Sequence, residues 1–329
     1  MSKPERSLNL ALAHLHRPAW PATLPEFGVM PLPPLVESAL LTADEAVRLQ
    51  LVKAERSTCA LSVERFDAFI AAAAPRTLII HAVDAEPGVP MLIFWALRNT
   101  LAISTFAARA ARELGCSVLF ALPADLPDAL RRALAPLKPV KFVDANYPGG
   151  HWRLMPRATR LSPAHTLVAD VVAVTDWATA VATGHPADDR PVAVAREQSL
   201  EFRTVVRGTR LEDDAGMVAR WFSGPRLADQ LADSVIGDGE LTFYRESPGD
   251  RSSSTCIRCG ACVVICPTHV DPVTLLAESV RGPRESTLRR AGLQSCIECG
   301  LCTAACPAGI ELHHVIGTLK VTRRGRTHV

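Results

Sequence analysis

Apolar runs and helical spacings alternate through the middle of the chain. Residues 77–83 read T-L-I-I-H-A-V, the length and composition of a buried strand. Residues 117–122 (S-V-L-F-A-L) and 140–143 (V-K-F-V) repeat the pattern. Between the first two runs the spacing predicts a helix over 103–114, starting as early as Met91, with Gly115 as its C-terminal cap. A second helix is predicted over 124–135. Strands separated by helices predict a parallel sheet with helical crossovers, an α/β Rossmann-like domain.

The flanks behave differently. Residues 1–40 carry Pro18, Pro21, Pro25, Pro31, Pro33 and Pro34 and read as an extended arm. Thr42 with Glu45 forms a capping box ahead of a helix over 43–54. Residues 169–184 read as a short strand, A-D-V-V-A-V, then a helix. Beyond Pro191, strands are expected at 192–195, 200–206 and 241–244, with a helix over 213–222, a small α+β module. Residues 246–255, E-S-P-G-D-R-S-S-S-T, read as a linker. A helix over 271–281 takes Asp271 as N-cap and Pro272 as its first residue. A last short helix is expected over 311–319. The tail with Lys320, Arg323, Arg324 and Arg326 reads as solvated, or as a dock for an acidic partner. The expected division is an arm (1–40), an α/β domain (41–165), the small module (166–245) and a C-terminal domain (250–329).

The chemistry is concentrated in that last part. Residues 256–267 read C-I-R-C-G-A-C-V-V-I-C-P and residues 296–307 read C-I-E-C-G-L-C-T-A-A-C-P. Each is C-x2-C-x2-C-x3-C-P, the run that holds 4Fe-4S clusters in two-cluster ferredoxins. Three thiolates two residues apart can wrap one corner of a cubane, and the fourth lies one helical turn on. In two-cluster proteins that fourth cysteine ligates the other cluster. Cys256, Cys259, Cys262 and Cys306 are therefore assigned to one cluster, and Cys296, Cys299, Cys302 and Cys266 to the other. The competing reading is a pair of structural zinc sites, which usually join two C-x2-C knuckles and need neither a third cysteine nor a following proline. Cys59 and Cys116 lie outside the motifs, and Cys116 is expected to be a small core residue.

Composition narrows the partners. A net charge of +2 makes no electrostatic case for nucleic acid or an anionic membrane. The densest apolar stretch, starting at Met91, ends at Arg98 and is far short of the roughly 20 residues a membrane span needs. The N-terminal residues do not read as a signal peptide. The expectation is a cytoplasmic protein that meets a membrane, at its inner face, only through a partner.

Two loops fall after strands, at the edge where α/β sheets bind ligands. They are 84–88 (D-A-E-P-G) and 144–150 (D-A-N-Y-P-G-G). A binding site and two solvated loops are both consistent with them.

The cysteine motifs and the helix between them resemble the RnfC family, the two-cluster iron–sulfur component of the Rnf-type electron transport complex. L-I-I-H-A-V-D-A-E-P-G is similar to that family's strand and acidic loop, and to the equivalent loop in the flavin-binding part of respiratory complex I. N-Y-P-G-G is similar to its Tyr-Pro-x-Gly segment, and residues 169–210 to its next helix and a β-grasp module. The resemblance spans residues 42 to about 320. It implies NADH oxidation through FMN, with Asp84, Glu86 and Tyr147 beside the flavin, and electrons leaving through the clusters. The chain departs at one point. Where the family carries a glycine-rich loop, this sequence reads E-R-S-T-C-A-L-S-V-E-R-F, and no glycine occurs between Gly28 and Gly88. Backbone N–H groups close on a phosphate where glycine permits it, and side chains here would block the approach. The expectation is a shortened relative with two 4Fe-4S clusters, FMN left open and NADH not used. It would pass single electrons between a donor and a redox partner or membrane-complex subunits. An FMN-dependent reductase like the corrinoid-reducing relatives, and a cluster-based adaptor or oxygen sensor, are the alternatives.

Overall fold

The structure is a computed structural model and describes residues 63–83, 91–183, 189–195, 200–206, 219–221, 225–227, 242–244 and 253–326. The expected helix over 43–54 and the Pro-rich arm lie outside the described residues. The chain falls into two compact units, one built on Arg17–Arg220 with Ala228–Glu246, the other on Ser247–Val329 with Trp221–Leu227.

The first unit starts with helix α1 (Val63–Ala71) and then strand β1 (Thr77–His81). Helices α2 (Met91–Arg98) and α3 (Thr100–Leu114) follow, then β2 (Ser117–Pro123), α4 (Asp128–Ala133) and β3 (Val140–Val143). Next come α5 (Met155–Thr159), β4 (Thr166–Asp170) and α6 (Val171–Thr183). The four strands form a parallel sheet in the order β3-β2-β1-β4. The parallel sheet expected from the three apolar runs is therefore present, with a fourth strand at its edge.

Both sheet faces are covered, as a parallel sheet requires. Leu78, Ile80, Phe120, Leu122, Leu167 and Ala169 join one cluster with residues of α2, α3 and α6. Ile79, Ala121 and Val168 pack on the other face with Val143 and Met155. The residues alternate because successive side chains of a strand point to opposite faces.

The helix expected over 103–114 is present as α3, and the stretch back to Met91 is a separate helix, broken from it at Asn99. Its side-chain amide donates to the Trp95 carbonyl at 3.0 Å, and α2 and α3 diverge by 84°. All of α2 from Met91 to Ala96 is buried. Among the described residues no single helix is long and apolar enough to cross a membrane. Gly115 ends α3 with φ 59°, the left-handed geometry expected of a glycine cap.

The strand expected over A-D-V-V-A-V is corrected. The strand stops at Asp170, and Val171–Thr183 is helical. Asp170 Oδ1 accepts the Ala173 N–H at 2.8 Å, so the aspartate caps the helix and turns the valines out of the sheet. The run is helical despite its β-branched residues because it is buried on every side, from Val171 to Val181. Trp177 at its middle contacts Phe66 and Phe106, with ring centroids 5.6 and 5.1 Å away. Cys116 is half-buried at the margin of this core.

A second sheet follows. Strands β5 (Asp189–Ala195) and β6 (Leu200–Val206) form an antiparallel hairpin. Strand β7 is Ala219–Trp221, β8 is Pro225–Leu227 and β9 is Thr242–Tyr244. β9 runs parallel to β5 and antiparallel to β7, giving the order β6-β5-β9-β7. The helix expected over 213–222 is corrected at its end, where Ala219–Trp221 pairs as a strand; residues 213–218 lie outside the described residues. Ladder hydrogen bonds to Phe243 and Tyr244 outweigh the weak helical spacing of that stretch.

Within residues 253–326 the second unit is helical: α7 (Ala261–Val264), α8 (Pro272–Arg281), α9 (Glu285–Arg290), α10 (Leu301–Ala304) and α11 (Leu312–Arg326). Asp271 caps α8 as expected, its carboxylate accepting the Thr274 N–H at 3.0 Å and the Thr274 hydroxyl at 2.6 Å. The last helix is about two turns longer at its C-terminal end than its sequence spacing indicates. α8 packs on α11 over Val270, Leu275, Leu288, Leu293, Ile316 and Leu319.

Candidate iron–sulfur centres

The two cysteine runs fold alike. In each, the residue before the second cysteine enters the left-handed region: Arg258 at φ 53° and Glu298 at φ 57°. The glycine after that cysteine also has positive φ, 77° at Gly260 and 74° at Gly300, and opens a single-turn helix. Left-handed backbone at these glycines costs little because they lack a Cβ. The loop thereby coils tightly enough to turn three thiols inward. Downstream, the Cys266 N–H donates to the Val263 carbonyl and the Cys306 N–H to that of Thr303, at 3.3 and 3.1 Å.

The thiols gather across the runs. Cys256, Cys259 and Cys262 of the first run and Cys306 of the second line one pocket. Its walls are apolar, with Ile257, Val273, Leu276, Ile310 and Leu312. Burial pushes the Cys262 thiol up to about 11, with the neighbouring charges of Cys306, Cys259 and Cys256 adding to it. Cys266 of the first run packs with Cys296 and Cys302 of the second against the unit's core. Burial pushes Cys299 up to about 12, and nearby Cys296 and Cys266 raise it further. Cys302 is raised most, again by burial first and then by Cys299 and Cys296. Two sets of four thiols result, each with its fourth member from the other run.

Backbone donors already point at sulfur. The Val270 N–H lies 3.3 Å from Cys266 Sγ and the Glu298 N–H 3.4 Å from Cys296 Sγ. Such donors stabilise thiolates and tune the potential of a cluster. Among the described residues no three Cys, His, Asp or Glu side chains close on a point as one metal ion would require. Cys256, Cys259, Cys262 and Cys306 line a pocket. The four sulfur donors and the apolar walls of that pocket fit a 4Fe-4S cluster.

Lys320 was legible only as a tail cation. It lies within α11, where its ammonium donates to Glu298 Oε1 at 2.6 Å and to the Cys296 carbonyl at 2.7 Å. The tail reading is corrected for this residue: Lys320 clamps the second cysteine loop, and its side chain is 13% exposed. Nothing in the local sequence signals the pair, which spans 22 residues.

The flavin residues fare unevenly. Asp84 and Glu86 lie outside the described residues. Tyr147 is half-buried in the turn after β3. The Asn146 N–H donates to Asp144 Oδ1 at 3.0 Å, and a Cβ at Gly149 would meet the carbonyls of Asn146 and Asp144 at 2.7 and 2.9 Å. N-Y-P-G-G is therefore a turn that only glycine completes. Sequence reasoning missed His81 and Asp170, register partners at the carboxyl ends of β1 and β4, both fully buried. The signal was there, since both strands end on a polar residue.

Residues 255–310 match the family model of the 4Fe-4S dicluster domain. The C-terminal unit thus carries a ferredoxin-type iron–sulfur domain of the electron-transport kind. Among curated protein sequences none matches the chain. Among solved structures the chain is similar to one from an NAD+-reducing [NiFe]-hydrogenase in the H2-reduced state. That match has 14% identity and a TM-score of 0.54, and covers 94% of this chain and 74% of the other. The air-oxidized state of an NAD+-reducing [NiFe]-hydrogenase gives 13% identity and a TM-score of 0.46, covering 97% of this chain and 65% of the other. At that identity the first likeness speaks for the fold.

Proposed function

We propose that the chain is an electron-transfer subunit of a larger oxidoreductase, built to carry two 4Fe-4S clusters. Cys256, Cys259, Cys262 and Cys306 hold one. Cys296, Cys299, Cys302 and Cys266 hold the other. The observation that carries the reading is the sorting of eight thiols into two sets, each completed by a cysteine of the opposite run. A bound cluster would supply one-electron uptake and release at each site. The protein supplies the thiolates, the apolar walls that exclude water, and the N–H donors that set the potential.

The likeness of fold to a chain of an NAD+-reducing hydrogenase supports placing this chain in an assembly with other redox proteins. The resemblance to the RnfC family is the finer form of that reading. Membrane contact through a partner, from the cytoplasmic side, goes with it. The mixed sheet, in which β5 and β9 pair in parallel and antiparallel strands flank them, is the arrangement a β-grasp module would have. FMN, if retained, would sit at the edge bearing Tyr147, the edge to which the sequence also assigns Asp84 and Glu86. A nucleotide is not expected there, because the chain offers side chains where a dinucleotide needs glycine.

The test is composition. Protein purified without air from iron-replete cells is expected to hold roughly eight irons and as many acid-labile sulfides per chain, four to each cluster. Stoichiometric zinc in place of iron would overturn the reading.

A further inference from the structure

The two cysteine runs share a backbone but not an environment. Ile297 of the second run is 8% exposed, whereas its counterpart Ile257 is 67% exposed. Thr303 of the second is buried at 9%, while Val263 is 38% exposed and Val264 is 80% exposed. Cys259 is the exposed thiol of the eight. The left-handed residue is Glu298 in the second run, held by Lys320, and Arg258 in the first, which is exposed. One copy is sealed and the other is bare.

The bare copy continues into an apolar strip. Val273 and Leu276 of α8 line the same pocket as Ile257 and Arg258. Val280, at helical spacing on that stripe, is 84% exposed. Burying such residues in an interface is favourable, and a contiguous exposed apolar patch marks an interaction site.

Charge defines what would cover it. In the described part of this unit Glu278, Glu285 and Glu298 are each engaged by a cation, namely Arg284, Arg323 and Lys320. Asp271 is committed to a helix cap, and Glu311 lies 3.5 Å from His313. Arg258, Arg281, Arg289 and Arg290 are exposed and enter no ion pair among those found for the described residues. Among the described residues of this unit the charge left outside ion pairs is therefore positive, and Arg258 lies on the loop that carries Cys259.

We infer that the bare first run, centred on Ile257, Arg258 and Cys259 with Leu276 and Val280 beside it, docks a small soluble electron carrier whose cofactor edge is ringed by carboxylates. The inference rests on the proposed cluster ligation. One electron crosses the interface, so one partner is oxidised by one and the other reduced by one, with no bond or proton moved. Opposite charge guides the encounter and sets register, and the apolar centre excludes water between the two cofactors.

The experiment uses the full chain with its clusters and, as probe, a small acidic ferredoxin in its oxidised form. Calorimetric titration at low salt is expected to show binding that weakens steeply as salt is raised. Arg258→Glu, which copies the residue of the sealed run, is expected to weaken it at least about tenfold, a loss of about 1.4 kcal/mol. Ile257→Ser is expected to weaken binding without changing its salt dependence. Arg290→Glu makes the same charge change away from the pocket and is expected to have a far smaller effect. Equal effects of Arg258→Glu and Arg290→Glu, or no binding of the probe at all, would overturn the docking site. Iron content is measured on every sample. Variants that load two clusters yet bind as the parent does refute the docking site alone, and a parent chain without iron refutes the cluster reading beneath it.

Discussion

The ammonium of Lys320 reaches Glu298 Oε1 at 2.6 Å and the Cys296 carbonyl at 2.7 Å, joining the last helix to the second cysteine loop. Lys320→Met keeps much of the length and removes both bonds. A hydrogen bond involving a charged group contributes about 1.5–3 kcal/mol. The Glu298 half is 44% exposed and contributes at the low end because solvent screens it. The variant is expected to lose stability to denaturant. A positive charge also leaves the neighbourhood of the second cluster, so that cluster's reduction potential is expected to fall. Potentiometric EPR checks this, and unchanged potentials for both signals would rule it out.

The proposed crossed ligation makes an unusual demand on a single substitution. Cys266→Ser is expected to damage the cluster held by Cys296, Cys299 and Cys302, and to spare the one nearest it in sequence. Cys306→Ser is expected to do the reverse. EPR of the reduced variants identifies which spectrum disappears. Loss of the near cluster alone would mean that each run is self-contained.

Thiol burial fixes a pH dependence for the cluster-free chain. Cys262 and Cys299 are raised from 9.0 to about 11 and about 12. A thiol whose pKa rises on folding favours the folded state below its unfolded value and ceases to as pH passes the folded value. The cluster-free unit should therefore lose stability between pH 9.0 and about 12. The loaded protein should not share this loss, because thiolates bound to iron carry no proton. Urea unfolding of both forms across that window is the measurement, and parallel profiles would count against it.

The carboxylate of Glu278 accepts from the Arg284 backbone at 3.0 Å and from its guanidinium at 2.8 Å. These hydrogen bonds hold its pKa below the ordinary 4.5. A lowered carboxylate supports the fold above its unfolded value and stops doing so as pH falls through the folded one. Glu278→Gln is expected to lower the melting temperature at neutral pH and to flatten its decline below pH 4.5. A variant with the parent's acid profile would show that the pair has no such role.

The chain by itself is not expected to oxidise NADH. Pyrophosphate binding needs converging backbone N–H groups, and residues 55–66, E-R-S-T-C-A-L-S-V-E-R-F, contain no glycine to expose them. Loaded protein is mixed anaerobically with excess NADH, with and without FMN, while the visible absorbance is followed. Prompt bleaching would mean that a hydride-accepting site survives.

Regular patterns were legible in the sequence and compensations were not. The strand at Thr77 and the C-terminal half of the one at Ser117 announced themselves because a sheet covered on both faces demands continuous apolar runs, while the edge strand at Val140 was legible from its β-branched and aromatic residues alone. The cysteine spacing was legible because cubane geometry tolerates few alternatives. The valines after Asp170 mislead because β-branched residues favour strands in isolation, and only the side-chain cap and surrounding core decide for helix. The break at Asn99 was invisible because the residues on both sides are good helix formers. The seal over the second run depends on Lys320 meeting Glu298 from 22 residues away, a pairing that no local spacing encodes.

The unequal cover of the two runs also sets an order of failure. Where Ile257 and Cys259 stand open, water and dioxygen would reach a cluster held there as proposed, while Ile297 is buried in the other loop. Air should therefore strip the first centre before the second. A chain caught midway would keep half its iron, the wrong half for trading electrons with anything outside. Damage would silence the protein long before it unfolded it.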